Sequence, residues 1–181
     1  RSGNLYAAGP NGVARWNGTS WSTLGPGMNN SVSAIAVDGS GTPYAGGYFT
    51  SSGGSIPNYV ARWDGTTWSG LGDGMDNAVL ALGADPSGKP YAAGFFTNAG
   101  GVGANHVALW SGTKWTALGA GVDDWVRSLA VAPDGTLYVG GLFSNAGGVS
   151  AKYIARWNGT NWSALGTGMN TWGVNALVVD K

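Results

Sequence analysis

A chain of 181 residues is long enough to bury a substantial core without cross-links, so one domain is the default reading. Nine Lys plus Arg balance nine acids, all of them Asp, which leaves neither a basic stripe for nucleic acid nor a polybasic patch for a membrane surface. The absence of Cys removes disulfides, thiol nucleophiles and thiolate metal sites, while 34 Gly, 10 Trp and no Glu disfavour long helices and suit pleated, half-buried surfaces.

No apolar run approaches the roughly 18 residues of a membrane span, so membrane insertion is not expected. The chain opens on Arg1 without a signal-type segment and reads as a processed or excised mature portion. From the N-terminus, Leu5 and Tyr6 begin a strand, and VARWNGTSWSTLGPGM follows from Val13. The pattern returns as YVARWDGTTWSGLGDGM from Tyr59, VALWSGTKWTALGAGV from Val107 and IARWNGTNWSALGTGM from Ile154. Trp16, Trp63, Trp110 and Trp157 are each 47 residues apart, as are Trp21, Trp68, Trp115 and Trp162. That period points to propellers and solenoids.

Within one period, strands are predicted at 32–38, 43–49, 59–63 and 67–71. Gly39, Ser40 and Gly41 turn the first pair, and Asp64 with Gly65 suits the positive φ of a tight hairpin between the last two. Four antiparallel strands and no helix make a propeller blade. The first strand of each period (SVSAIAV, AVLALGA, WVRSLAV, GVNALVV) is rich in small and β-branched residues on both faces, which suits a doubly buried strand near the axis. The paired Trp residues fall farther out, where gaps between blades widen and rings can fill them.

The order of inner strand, YAGG, ARWDG and W-x-x-L resembles kelch-type propeller repeats. The sequence is most similar to the ARWDGTSWSALGSGM repeats of secreted or surface bacterial propeller proteins. The resemblance implies a propeller in a secreted or cell-surface, bacterial setting. It leaves the function open, because kelch-like propellers serve as enzymes, lectins and scaffolds.

Leu5 and Tyr6 match Pro43 and Tyr44, residues 174–180 match the inner strand 32–38, and Arg1 and Lys181 both align with Gly39. The expectation is an all-β, four-bladed propeller of four-stranded antiparallel blades, closed by the C-terminal strand pairing into the N-terminal blade. The blades are 1–27 plus 173–181, 31–74, 78–121 and 125–168, forming a single domain over 1–181. Closure by one chain would make a monomer and remove free sheet edges. The competing arrangements are half of a larger ring from two chains, or a piece of a longer array.

Arg15, Arg62 and Arg156 recur on the third strand, and Asp38, Asp85 and Asp180 at the end of the next inner strand. Where Leu109 replaces Arg, Ala132 replaces Asp, so the two positions lose charge together. Structural ion pairs between neighbouring blades are expected at three interfaces, specifying register more than adding stability.

Loops on a rigid propeller are where binding residues usually sit, and the face carrying the inter-blade links and the long loops is the candidate. In the first unit only Pro10, Asn11 and Gly12 stand in for the long loop, which should open a notch in the rim. Trp125 and Trp172 break the repeat on this face, flanked by Asp123 and Asp124, and by Asn170 and Thr171. A ring beside carboxylate, amide and hydroxyl groups can stack on a pyranose and bond its hydroxyls. The plainer alternative is that both rings plug the channel mouth.

His106 is the only histidine and stands where other units have Tyr59 and Tyr153, so it reads as a packing residue. A lone His without Cys or Glu makes no zinc site, and the paired Asp residues do not ensure two carboxyls facing across a sugar. No metal, cofactor or catalytic residue is therefore expected. The function expected is a non-enzymatic binding or scaffold propeller, glycan-binding through the loop face. The alternatives are a structural or adhesive surface domain, or a protein-binding platform using the two Trp with Met28, Met75 and Met169 as an apolar anchor.

Overall fold

The computed structural model describes residues 3–170 and 172–180, and every element among them is a β-strand. The strands group by the 47-residue period. Unit two is one antiparallel sheet of Val32–Val37, Pro43–Gly47, Val60–Trp63 and Trp68–Gly70. Unit three repeats it with Val79–Ala84, Pro90–Gly94, Val107–Trp110 and Trp115–Ala117. Unit four does so with Val126–Val131, Leu137–Gly141, Ile154–Trp157 and Trp162–Ala164. The four strands predicted for the period are present in unit two, one or two residues shorter. The long loops of units three and four add small hairpins, Asn98–Ala99 with Val102–Gly103 and Asn145–Ala146 with Val149–Ser150.

The core lies between units rather than within one. Val13, Leu24 and Met28 of unit one share a cluster with Val32, Ala45, Phe49, Ala61 and Trp68 of unit two. Leu71 and Met75 meet Phe96 and Trp115 in the same way, and Leu118 and Val122 meet Phe143 and Trp162. Phe49, Phe96 and Phe143 are fully buried, and each contributes about 1.5–3 kcal/mol by leaving water. Met28 and Met75 belong to this core, which removes them from the surface patch suggested by the sequence; of that set Met169 is exposed.

Polar bonds set the register of the packing. Trp68 Nε1 donates to the Leu24 carbonyl at 2.8 Å, Trp115 Nε1 to Leu71 at 2.8 Å, and Trp162 Nε1 to Leu118 at 2.7 Å. Each bond crosses from one unit to the preceding one. The third- and fourth-strand Trp rings pair within a unit, with centroids 5.3–5.7 Å apart. This is the packing role the spacing predicts, met in units two to four, whereas Trp21 of unit one pairs with Trp16 but stays 51% exposed.

The Gly that ends each second strand has a steric reason. A Cβ on Gly47, Gly94 or Gly141 would collide with the carbonyl of Ser31, Ala78 or Trp125, where the inner strand begins. Those carbonyls accept the N–H of Tyr48, Phe95 and Leu142, each at 2.9 Å, and a bulge in the inner strand follows. Tyr59, His106 and Tyr153 occupy the left-handed region at φ 70, 65 and 66°. Each donates its N–H to the buried Phe of its own unit and accepts from the Gly just discussed, which offsets the backbone cost. His106 is thus a substitute at a structural position, as the sequence indicates.

Unit one differs. Its sheet has three described strands, Leu5–Gly9, Gly12–Trp16 and Trp21–Thr23, and 174–180 forms no ladder with it. The C-terminal segment lies along unit four instead. Val174 donates its N–H to Gly141 O at 3.0 Å and presses on Gly140 as Val79 presses on Gly46. Arg127 Nη1 bonds Asn175 Oδ1 at 2.9 Å. Residues 174–180 therefore stand where the inner strand of a following unit would stand, and among the described residues they join no sheet. The overlap of Arg1 with Lys181 lies outside the described residues.

Gly94→Ala should lower unfolding free energy by about 1–3 kcal/mol, because the methyl meets a backbone carbonyl that the bulge holds in place. Urea denaturation followed by tryptophan fluorescence measures this, and an unchanged midpoint would contradict the close approach.

Candidate functional site

The links between units and the long loops lie at one end of the sheets. Asn29 Oδ1 accepts the N–H groups of Thr50 and Ser51 at 2.8 and 3.0 Å, pinning the next long loop to the link. Asp76 does the same for Thr97 and Asn98 at 2.9 and 3.0 Å. Asp123 accepts from Ser144 and Asn145, both at 2.8 Å. The neighbouring residue also turns inward: Asn30, Asn77 and Asp124 each accept the N–H of the residue that follows, at 2.7–2.8 Å.

Asp123 and Asp124 are therefore occupied by the fold, in roles that recur along the chain. Asn170 falls at the same repeat position and is exposed. Thr171 lies outside the described residues. The signal that assigns these residues was present in the sequence, since 29, 76, 123 and 170 stand 47 apart and all carry Asn or Asp.

Burial pushes the Asp76 carboxyl up, but bonds from Asn98 and Thr97 outweigh it and hold it below the usual carboxylate range. Asp123 is lowered similarly, with burial opposed by the bonds from Asn145 and Ser144. Asp38 follows the same balance inside its own hairpin, where Ser40, Thr42 and Tyr44 donate to it.

Among the residues expected to form inter-blade ion pairs, the described hydrogen bonds of Asp38, Asp85 and Arg156 stay within their own units. The Tyr44 hydroxyl donates to Asp38 at 3.3 Å, and Arg62 lies opposite Tyr44 across the sheet. Arg15 and Arg62 share a groove with the Ser40–Thr42 turn, so the cations lie beside the hairpin that Asp38 organises.

What the fold leaves unspent on this face is aromatic. Trp125 packs on Phe95 with ring centroids 4.4 Å apart, and Phe95 meets Tyr48 edge-on at 6.2 Å. Trp125 is 43% exposed and Tyr48 41%, with Phe95 half-buried between them. Three rings from three units thus make one strip. Tyr48 and Phe95 occupy the position right after the second-strand Gly, which the sequence reading passed over. Trp172 is 96% exposed, and no ring stacking joins it to the strip.

The predicted notch is also present. Beside the short Pro10 turn a groove of about 550 Å³ runs over the end of the unit-one sheet, lined by Ala7, Ala8, Pro10, Val13, Ala14 and Leu24 among others. Its lining is mainly apolar. Among the described residues no three His or Asp side chains gather as a metal site would require.

A family model described as a domain of unknown function forming a beta-propeller matches residues 132–163. The fold is a β-propeller. Solved structures agree with that reading: the extracellular domain of a B. thetaiotaomicron protein named as a hybrid two-component system is 14% identical, with a TM-score of 0.61 over 97% of this chain and 23% of that one. PorZ, a surface component of the type-IX secretion system of Porphyromonas gingivalis, is 17% identical with a TM-score of 0.57, over 86% of this chain and 24% of that one. The WD40 repeats of RRP9 are 12% identical with a TM-score of 0.56, over 81% of this chain and 41% of that one. The chain spans less than half the length of each of these propellers. No curated protein matches it by sequence. No described helix is long and apolar enough to cross a membrane.

Carboxylates held below their unfolded pKa stabilise the fold above the ordinary Asp value, and that contribution is lost as pH falls through the folded value. Asn29 shows that an amide can make the same loop bonds. The double variant Asp76→Asn, Asp123→Asn should lose less than about 1 kcal/mol at neutral pH and show a flatter fall in stability below about pH 4. Thermal melts across that range check both; an acid limb as steep as in the parent would show that these carboxylates do not govern it.

Proposed function

We propose that this protein is a non-enzymatic binding propeller whose loop face holds carbohydrate through the strip of Tyr48, Phe95 and Trp125. The observation that carries this reading is the strip itself, in which three rings from successive units stand together and two are more than a third exposed. An apolar sugar face stacks on such rings. Asp123 and Asp124 support the platform in place of the direct ligand roles that sequence alone suggests, while Trp172 and Asn170 stand exposed apart from the strip. Kelch-like repeats, four blades, an inner position for 174–180 in the sheet of unit one, and a secreted or cell-surface setting complete the proposal. The extracellular and surface propellers among the structural relatives support that setting.

We also propose that Arg62 and Asp85 attract each other across neighbouring units, on the ground that Arg and Asp are lost together at Leu109 and Ala132. A double-mutant cycle of Arg62→Ala with Asp85→Ala should give a coupling of about 0.5 kcal/mol; strict additivity would dismiss it.

Titration of the purified chain with a panel of soluble oligosaccharides, read by tryptophan fluorescence, tests the binding reading. A saturating response that Trp125→Ala weakens about tenfold, with thermal stability unchanged, is the expected result. No response to any glycan, alongside capture of peptides at the same rings, would transfer the face to a protein-binding role.

A further inference from the structure

The three internal interfaces are built alike, and the two ends of the array carry the halves of a fourth. Within the array each fourth-strand indole donates to a Leu carbonyl of the preceding unit. The Gly after each of those leucines makes room for the next third-strand ring: a Cβ on Gly25, Gly72 or Gly119 would meet Trp63, Trp110 or Trp157. Unit one presents the ring half of this joint uncovered. Trp21 is 51% exposed, against 3%, 3% and 6% for Trp68, Trp115 and Trp162. Ala7 and Ala14 are exposed and half-buried where Ala45 and Ala61 are sealed.

Unit four presents the carbonyl half. Leu165 is half-buried where Leu24, Leu71 and Leu118 are buried, and a Cβ on Gly166 would meet nothing within 4 Å. Beside it, 174–180 occupies the place of a following inner strand, while unit one has a three-stranded sheet with its inner edge unpaired among the described residues.

We infer that these ends mate between two copies of the chain, head to tail, with Trp16 and Trp21 of one copy seated on Leu165 and Gly166 of the other. Residues 174–180 of each copy then supply the inner strand of the partner's first sheet, which rests on the reading that this segment belongs in that sheet. A second copy fits better than self-closure, because within one chain Trp21 stays 51% exposed and Leu165 half-buried, so neither half of the joint covers the other. Two copies supply eight units, within the range of about four to eight blades that propellers adopt.

The test uses the 181-residue chain, whose mass is 18.3 kDa, in light scattering after size exclusion and in hydrogen exchange of 5–9 and 174–180. Expected are a species of twice the single-chain mass with both segments protected, and a dissociation constant raised at least about 30-fold by Trp21→Ala. Gly166→Arg blocks the opposite half of the joint and guards against a folding defect in the first variant: each alone should be monomeric, and mixing the two should restore a dimer through the one intact joint. A monomer with both segments protected would overturn the second copy while leaving the strand placement standing. A monomer with neither protected would overturn both, and open-ended larger assemblies would overturn the two-copy ring.

Discussion

The bond from a tryptophan indole to a leucine carbonyl one unit back is the constraint on which the architecture depends. A single four-stranded sheet of this kind has two apolar faces and cannot bury either alone. The joint solves that by setting an aromatic ring over the preceding sheet and giving its one polar atom a partner, so the ring enters the core without an unsatisfied donor. Buried Phe49, Phe96 and Phe143 fill the remaining wedge. Stability in such an array sums over units and joints, and whatever the terminal joints lack is missing at the ends alone.

The loop face is a consequence of the same repetition. Each link must pin the next long loop, and Asn29, Asp76 and Asp123 do so with side-chain oxygens aimed at backbone N–H groups. The polar side chains that make the face look ligand-ready are thereby committed to its shape. The rings are not: Trp125 has its backbone held by the Asp124 carboxylate and the Leu142 N–H, while its indole lies outward on Phe95. A rigid backbone carrying a solvent-facing ring costs little ordering entropy on binding, which is why the strip suits recognition.

Much of this was legible in the chain. The spacing of the paired Trp residues, the Gly after each second strand and the Asp-Gly hairpins specify strand number, order and turn positions, because each obeys a local steric or hydrogen-bonding rule that recurs at the same interval. The candidate site is less legible, since Asp123 and Asn170 look like ligand groups beside the two departing Trp residues when they hold a position that recurs every 47 residues. Tyr48 and Phe95 went unnoticed because one ring beside a Gly carries no signal until the neighbouring unit brings Trp125 against it.

The sequence by itself determined the unit: which residues form strands, which rings pack, and where chain reversals fall, all set by interactions within about one period. Only the tertiary structure decided how units are related. The rotation at each joint depends on how Trp and Leu seat together across two sheets, and no spacing encodes an angle. That packing drew rings from three separate units into one surface.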